Sequence, residues 1–293
     1  MSNNLDVSIV VLNWNTSDLL SGALESIVET VGTLSYEVIV IDNASTDGGF
    51  TQVPQRFRDD MRFTFVQNET NIGWAAINRM LECSGKYIAT VDADAILHQG
   101  ALPALIAFME THPEAGAVTA QFRNPDGSQQ RYFRRILTPT LYFFTTPMGR
   151  SIDKYFLDLK YMQRYHYADL DLSAIAEVEQ PAWPCLLWRR EALGEYIVDE
   201  SIPFYFVDVD MSKRLYDLGY RIYLVPDTVV THLKSTSFGK AKDRWKRREF
   251  YRSLAFYFRK HYPYHVPLLF PVLWCDRLVR ALLRRFLGRE PLR

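Results

Sequence analysis

Along the first hundred residues, short β-branched runs alternate with longer segments of helical period. Val7-Ser-Ile-Val-Val-Leu-Asn13 is apolar at nearly every position, the pattern of a strand covered on both faces. Ser17 opens a segment in which Leu20, Leu24, Ile27, Val28 and Val31 share one side of a helix. Residues 37–42 predict a second strand, 62–67 a third, 74–83 a helix and 86–91 a fourth strand. Strands alternating with helices point to an α/β fold: a Rossmann-like, mostly parallel sheet with helices on both faces.

The second half is less regular. Residues 103–110 predict a helix, 115–121 a strand, and Asn124-Pro-Asp-Gly127 a turn. Residues 131–175 are rich in Tyr and Phe without a period, and no element is assigned there. Residues 206–218 predict a helix, and 220–224 and 228–232 two short strands around a Pro226-Asp227 turn. A basic helical stretch follows over 244–260, and the prolines of 262–271 argue against a regular helix. From Val272 onward, Val272, Cys275, Leu278, Val279, Leu282, Leu283 and Phe286 fall on one helical face and Arg277, Arg280, Arg284 and Arg285 on the other.

Composition narrows the class. A chain of 293 residues, 48% hydrophobic, supplies one large core or a core with an appendage. Cys83, Cys185 and Cys275 are odd in number, widely spaced and form no CxxC pair, which excludes a disulfide framework and fits a reducing compartment. The first six residues lack the basic start and cleavage site of a signal peptide, so the expected location is cytoplasmic. Zero net charge conceals an asymmetry. Residues 240–293 hold 15 Lys and Arg against four acids, a balance of +11, which leaves −11 on residues 1–239. The apolar run of the tail is short of the ~20 residues that span a bilayer. A basic amphipathic helix fits the surface of an anionic leaflet instead. Docking on the body and a homodimer interface remain open for it, and nucleic acid is not expected.

Candidate chemistry collects at the strand ends, where doubly wound sheets bind ligands. Asn13 and Asn15, Asp42 and Asn43, Asn68 and Asn71, and Asp92 and Asp94 each follow a predicted strand. In extended chain, Asp92 and Asp94 project to the same side. Two such carboxylates repel unless a cation sits between them or one is protonated. Hard oxygen donors suit Mg²⁺ or Mn²⁺.

Four motifs then stand in the order seen in glycosyltransferase family 2. They are Val7-Ser-Ile-Val-Val-Leu-Asn13, Val40-Ile-Asp42-Asn43-Ala-Ser-Thr-Asp47-Gly48, Asn71-Ile-Gly73-Trp74-Ala-Ala-Ile-Asn78 and Asp92-Ala-Asp94. Over roughly residues 6–260 the chain resembles that family, and most closely its bacterial rhamnosyltransferase-like branch, which builds cell-surface polysaccharides. The resemblance implies a GT-A catalytic domain over 1–239, with a nucleotide-sugar half (1–95) and an acceptor half (96–239). Residues 240–293 would be a membrane-associating extension on the inner face of the cell membrane. It implies an inverting transfer of a sugar such as rhamnose from a dTDP- or UDP-sugar to a lipid-linked glycan.

The resemblance also implies roles. Asp42 would read the pyrimidine base, Asp94 ligate the metal directly, and Asp92 meet the ribose or a metal-bound water. His232 would complete the metal site. Asn13, Asn15, Asn71 and Asn78 would line the donor site, where Gly73 permits close backbone approach; turn formation and capping are the structural alternative for Asn71 and Asn78. Asp208, in Phe204-Tyr-Phe-Val-Asp208-Val-Asp210, falls on the catalytic base; a carboxylate in a helix's first turn also complements the dipole. Val207 departs from the family's usual Glu and puts acceptor choice in question. Lys234 begins a polar, basic loop suited to a diphosphate, and Trp183 is either a sugar platform or core. Two rivals are a nucleotidyltransferase, against which the absence of a Gly-rich phosphate loop counts, and a non-catalytic sugar-nucleotide-binding scaffold.

Overall fold

The computed structural model describes residues 5–195, 197–202, 204–233 and 243–287. Ten strands form one sheet: β1 (Val7–Asn13), β2 (Tyr36–Asp42), β3 (Phe63–Gln67), β4 (Tyr87–Asp92), β5 (Ala95–Leu97), β6 (Ala115–Arg123), β7 (Gln129–Gln130), β8 (Ala176–Glu177), β9 (Cys185–Arg189) and β10 (Arg221–His232). Its order is β3-β2-β1-β4-β9-β6-β10-β5, with β7 beside β6 and β8 beside β10. The helices are α1 (Ser17–Thr30), α2 (Gln55–Arg58), α3 (Ala101–Thr111), α4 (Pro139–Thr145), α5 (Pro147–Ile152), α6 (Tyr161–Tyr165), α7 (Val207–Asp217), α8 (Asp243–His261) and α9 (Val266–Leu287).

The doubly wound reading holds for the first four strands, which pair in parallel around β1. Val7, Ile9 and Val11 pack toward the core that holds Leu20, Leu24 and Leu102 from α1 and α3. Val10 points to the opposite core, with Ile77, Trp183, Trp188 and Met211. Both faces are thus covered, which is why the strand reads as an unbroken apolar run. The register sets Asn13 against Asp42 and Leu12 against Asp92. The polar strand ends therefore share one rim.

The helix expected over 74–83 is present as a 3-10 helix, Gly73–Glu82, and two local expectations are corrected. The two short strands expected over 220–224 and 228–232 are one strand, β10 (Arg221–His232), whose register shifts between Val225 and Val229; Pro226 lacks an N–H, so the chain bulges there instead of turning back. The proline-rich segment is largely helical, because α9 begins at Val266 and carries Pro271 inside it. Antiparallel β9 also enters the middle of the sheet between β4 and β6. It places Cys185 opposite Val91, so the segment leading into β9 runs beside Asp92.

The basic helices pack on the body. Leu254, Tyr257 and Phe258 of α8 and Leu269 of α9 form a third core with Ile136, Leu137, Tyr142 and Val209. On α9, Leu269, Val272 and Leu273 face this core. Buried Asp276 accepts hydrogen bonds from Tyr142 (3.4 Å) and Tyr251 (3.1 Å). Val272 therefore turns inward, apart from the exposed members of the apolar face on which sequence periodicity set it. Leu268, Trp274, Cys275, Leu278, Val279 and Leu282 are exposed, and the side chains of Arg280, Arg284, Arg285, Leu283 and Phe286 lie outside the described residues.

Asp210 ties α7 to α8. It is 1% exposed and bonded by Lys260 (2.8 Å), His261 (2.7 Å) and Arg214 (3.1 Å). Burial pushes its carboxyl pKa up, but the His261 and Lys260 hydrogen bonds and the Arg214 and Lys260 charges outweigh burial and hold it below the usual range. We expect Asp210→Asn to cost about 3 kcal/mol, since it strands buried cations, measured as a lower denaturation midpoint. A depressed carboxylate stabilises above its unfolded pKa and loses that contribution as pH falls through its folded value. The gap between wild type and variant should therefore close below about pH 4.

Candidate functional site

Two loops build the first rim. Asn13, fully buried, donates to Asp42 Oδ1 (2.6 Å) and Ser45 (3.2 Å) and accepts from Thr16 (2.8 Å). Asp42, also fully buried, further accepts from the Ser45 N–H (3.1 Å) and from Gln67. Gly49 closes over it at φ +56, where a Cβ would stand 3.2 Å from Asp42 Oδ2. Asn15 accepts from the Thr46 N–H (2.8 Å). Asn71 Oδ1 takes Asn43 Nδ2 (2.9 Å) and the Gly73 N–H (2.8 Å), with Gly73 at φ +65, a conformation that favours glycine.

Asn78 has a different task from the donor contact expected of it. Its amide donates to Val198 O (2.9 Å) and accepts from the N–H groups of Ile197 (3.1 Å) and Val198 (2.8 Å). The whole side chain is committed to anchoring the segment that precedes α7. Lys234 lies outside the described residues.

The sheet brings Asp92, Asp94 and His232 together, each with a ligand atom within 4.8 Å of the others. Antiparallel pairing of β10 with β5 sets His232 opposite Ala95, and His232 Nε2 stands 3.5 Å from Asp94 Oδ1. The other ring nitrogen, Nδ1, is 3.1 Å from Gln130 Oε1. An amide oxygen only accepts, so Nδ1 carries the proton there and Nε2 is the ring nitrogen turned toward the carboxylates. Gln130 Nε2 also donates to His232 O (2.8 Å), fixing the residue at both ends. Burial raises the Asp92 pKa to about 7; the Asp94 charge adds to this and His232 opposes it. Two carboxylates and an imidazole nitrogen, crowded in this way, fit a divalent cation that would relieve the repulsion.

Asp208 stands in the first turn of α7. Phe206 just before it holds φ +63, rare for an aromatic residue, and packs on Phe250 and Tyr257. Asp208 Oδ2 accepts from Gln180 Nε2 at 2.7 Å. Val207 packs in the apolar core with Trp183 and Met211, so the residue that replaces the family's usual Glu serves packing. Trp183 is 6% exposed between Trp74 and Trp188, more core than platform, although it still borders the cavity.

Asp92, His232, Asp208 and Gln180 all line one cavity of about 680 Å³. The same cavity is also lined by Tyr142, Tyr165, Phe250 and Tyr251 and by Arg134, Arg150, Lys246 and Arg247. Gln130 and Gln180 escaped the sequence reading. A glutamine carries no motif, and only folding shows which charged group it meets.

Comparison with known proteins gives the family and the fold. The model of the family described as Glycosyl transferase family 2 matches residues 8–165. A Mycobacterium tuberculosis N-acetylglucosaminyl-diphospho-decaprenol L-rhamnosyltransferase is 28% identical over 221 residues, covering 69% of this chain and 68% of that protein. Among solved structures, the mannosyltransferase PcManGT from Pyrobaculum calidifontis, in complex with GDP-Man and Mn²⁺, aligns with a TM-score of 0.57. It is 20% identical and covers 99% of this chain and 77% of its own. S. aureus TarS 1–349 in complex with UDP-GlcNAc aligns with a TM-score of 0.56, at 19% identity over 86% of this chain and 65% of its own.

Proposed function

The chain belongs to glycosyl transferase family 2 and has the GT-A fold, and on that premise we propose that it is a metal-dependent, inverting glycosyltransferase. The observation that carries the proposal is one cavity bordered by both the Asp92–Asp94–His232 cluster and Asp208. A divalent cation held by Asp94 and His232, with Asp92 direct or through water, would neutralise the departing nucleoside diphosphate. Asp208 accepts the proton of the acceptor hydroxyl as that oxygen attacks the anomeric carbon. Asn13, Asn15, Asn71 and Gly73 shape the donor rim. Asp42 reads the base only by exchanging a present partner such as Gln67 for it. Lys234 stays a candidate for the diphosphate.

A dTDP- or UDP-sugar donor, rhamnose as the sugar, and a lipid-linked acceptor in cell-surface polysaccharide synthesis draw support from the name of the mycobacterial relative. The cationic and aromatic lining of the cavity suits a glycan that carries phosphate. The deciding experiment is a thermal-shift panel of dTDP-, UDP- and GDP-sugars with and without Mn²⁺. Metal-dependent stabilisation by one nucleotide class, followed by nucleotide release with an acceptor, is the expected result. No stabilisation by any donor would overturn the reading and favour a scaffold.

Membrane association belongs to the same proposal. Among the described residues no helix is long and apolar enough to cross a bilayer. Leu268 (75% exposed), Trp274 (66%), Leu278 (44%) and Leu282 (45%) form an outward stripe on α9, suited to an anionic lipid surface given the +11 balance of 240–293. The inward Asp276 meets Tyr142 and Tyr251, two residues of the cavity wall. This arrangement suits an acceptor that stays in the leaflet. Replacing Trp274 and Leu278 with Glu is expected to weaken binding to phosphatidylglycerol-containing vesicles by about tenfold or more, because each buried apolar side chain contributes about 1.5–3 kcal/mol. Cosedimentation at constant lipid measures it, and unchanged binding would remove α9 from that role.

A further inference from the structure

Gln180 lies outside every strand of the sheet, yet its backbone is fixed. Its N–H donates to Arg134 O (2.9 Å), and its carbonyl accepts from the Arg134 N–H (3.0 Å). Neighbouring Glu179 accepts from the Ile136 N–H and from Arg135, both at 2.8 Å. The Gln180 side chain is almost wholly buried, at 5% residue exposure. Its amide is then left one posture. A carboxylate only accepts, so Nε2 is the atom that faces Asp208 Oδ2. Turning the amide over would set oxygen against oxygen.

That posture has a cost, because Gln180 Oε1 is buried with no hydrogen-bond partner. An unsatisfied buried carbonyl subtracts from stability. An apolar side chain of the same length would avoid the penalty, and proteins give up stability of this kind at functional sites. Asp208, meanwhile, has no other hydrogen-bond partner among the described residues than Gln180. Without that amide its carboxylate would be free to rotate about its side-chain bonds.

We infer that Gln180 is the positioning residue of Asp208: it clamps Oδ2 and leaves Oδ1 as the oxygen presented to the acceptor hydroxyl in the shared cavity. The inference rests on the reading of Asp208 as base. Gln180 itself exchanges no proton; it fixes which lone pairs meet the nucleophile, and small misplacements of a reacting group are costly in rate.

Two variants test it, with dTDP-L-rhamnose and UDP-GlcNAc as donor probes and a synthetic N-acetylglucosaminyl diphospholipid as acceptor probe. Gln180→Met is expected to melt at the wild-type temperature or higher. Its kcat should fall about 10- to 100-fold, with KM for the nucleotide sugar within about twofold, since the donor side is untouched. Gln180→Glu can replace the amide donor only when its carboxyl is protonated, because two facing carboxylates cannot both be ionised. Its activity should therefore be lost at high pH and recover toward acid, a response that mere packing would not produce. A Gln180→Met enzyme with kcat within twofold of wild type, or one whose activity falls only in step with its melting temperature, would overturn the role of Gln180 alone. A wild-type protein that releases no nucleotide from either donor would overturn the functional reading itself, and this role with it.

Discussion

Asp208→Asn is expected to lower turnover by about 10²- to 10⁴-fold, the range of general-base catalysis, while donor binding is retained. Asparagine is nearly isosteric, and its carbonyl oxygen can still accept from Gln180 Nε2, which now bonds Asp208 at 2.7 Å. The clamp, the first turn of α7 and the buried Val207 beside it therefore stay in place. What is removed is the oxygen able to take a proton. Steady-state nucleotide release gives the kinetic term, and donor-induced thermal stabilisation gives the binding term. A variant that keeps more than a tenth of wild-type kcat would take the base role away from Asp208. In a non-catalytic scaffold the substitution would change neither readout.

The second large effect is expected at Asp94. Asp94→Asn should reduce turnover by about 10²- to 10³-fold, as the loss of several kcal/mol of metal-borne charge stabilisation implies. Chelation of wild-type protein should do the same and be reversed by Mn²⁺, whereas the variant should not recover. The stability effect has the opposite sign. Asp92 and Asp94 repel in a confined site, where burial and the Asp94 charge together raise the Asp92 pKa to about 7. Without metal, Asp94→Asn relieves that repulsion, and the melting temperature should hold or rise. Calorimetry with and without Mn²⁺ separates the two terms. Full activity in chelator would show that Asp92, Asp94 and His232 hold no catalytic cation.

The proximity of the two sites follows from a few placements. Entry of β9 between β4 and β6 brings the segment before Cys185 alongside Asp92, whose N–H donates to Pro184 O at 3.0 Å. The same segment carries Gln180 and Trp183 to the cavity. Asn78 works from the opposite direction, pinning residues 197–198 through three hydrogen bonds. Part of what resembles a donor motif thus supports the approach to α7.

The sequence by itself determined the α/β class, the four parallel strands, the polar residues at their ends and the paired carboxylates of Asp92 and Asp94. These are local properties: buried strands lose their alternation, loops begin where it stops, and residues two apart in extended chain share a side. The motif order also carried the family, since four ordered motifs span the first hundred residues. How distant groups meet is decided by tertiary structure, including the approach of His232 to Asp94, which the sequence offered only through family resemblance. His232 reaches Asp94 because β10 runs antiparallel to β5, and Gln130 fixes its ring from a two-residue strand too short to give a periodic signal. Gln180 meets Asp208 through an isolated bridge to Arg134, a pairing that no local pattern encodes. The outward face of α9 was settled in the same way: its periodicity shows an apolar stripe, but which side turns inward depends on the third core and on Asp276 finding Tyr142 and Tyr251. Helical and strand periods report how a segment can be buried; the partner that buries it is a property of the whole chain.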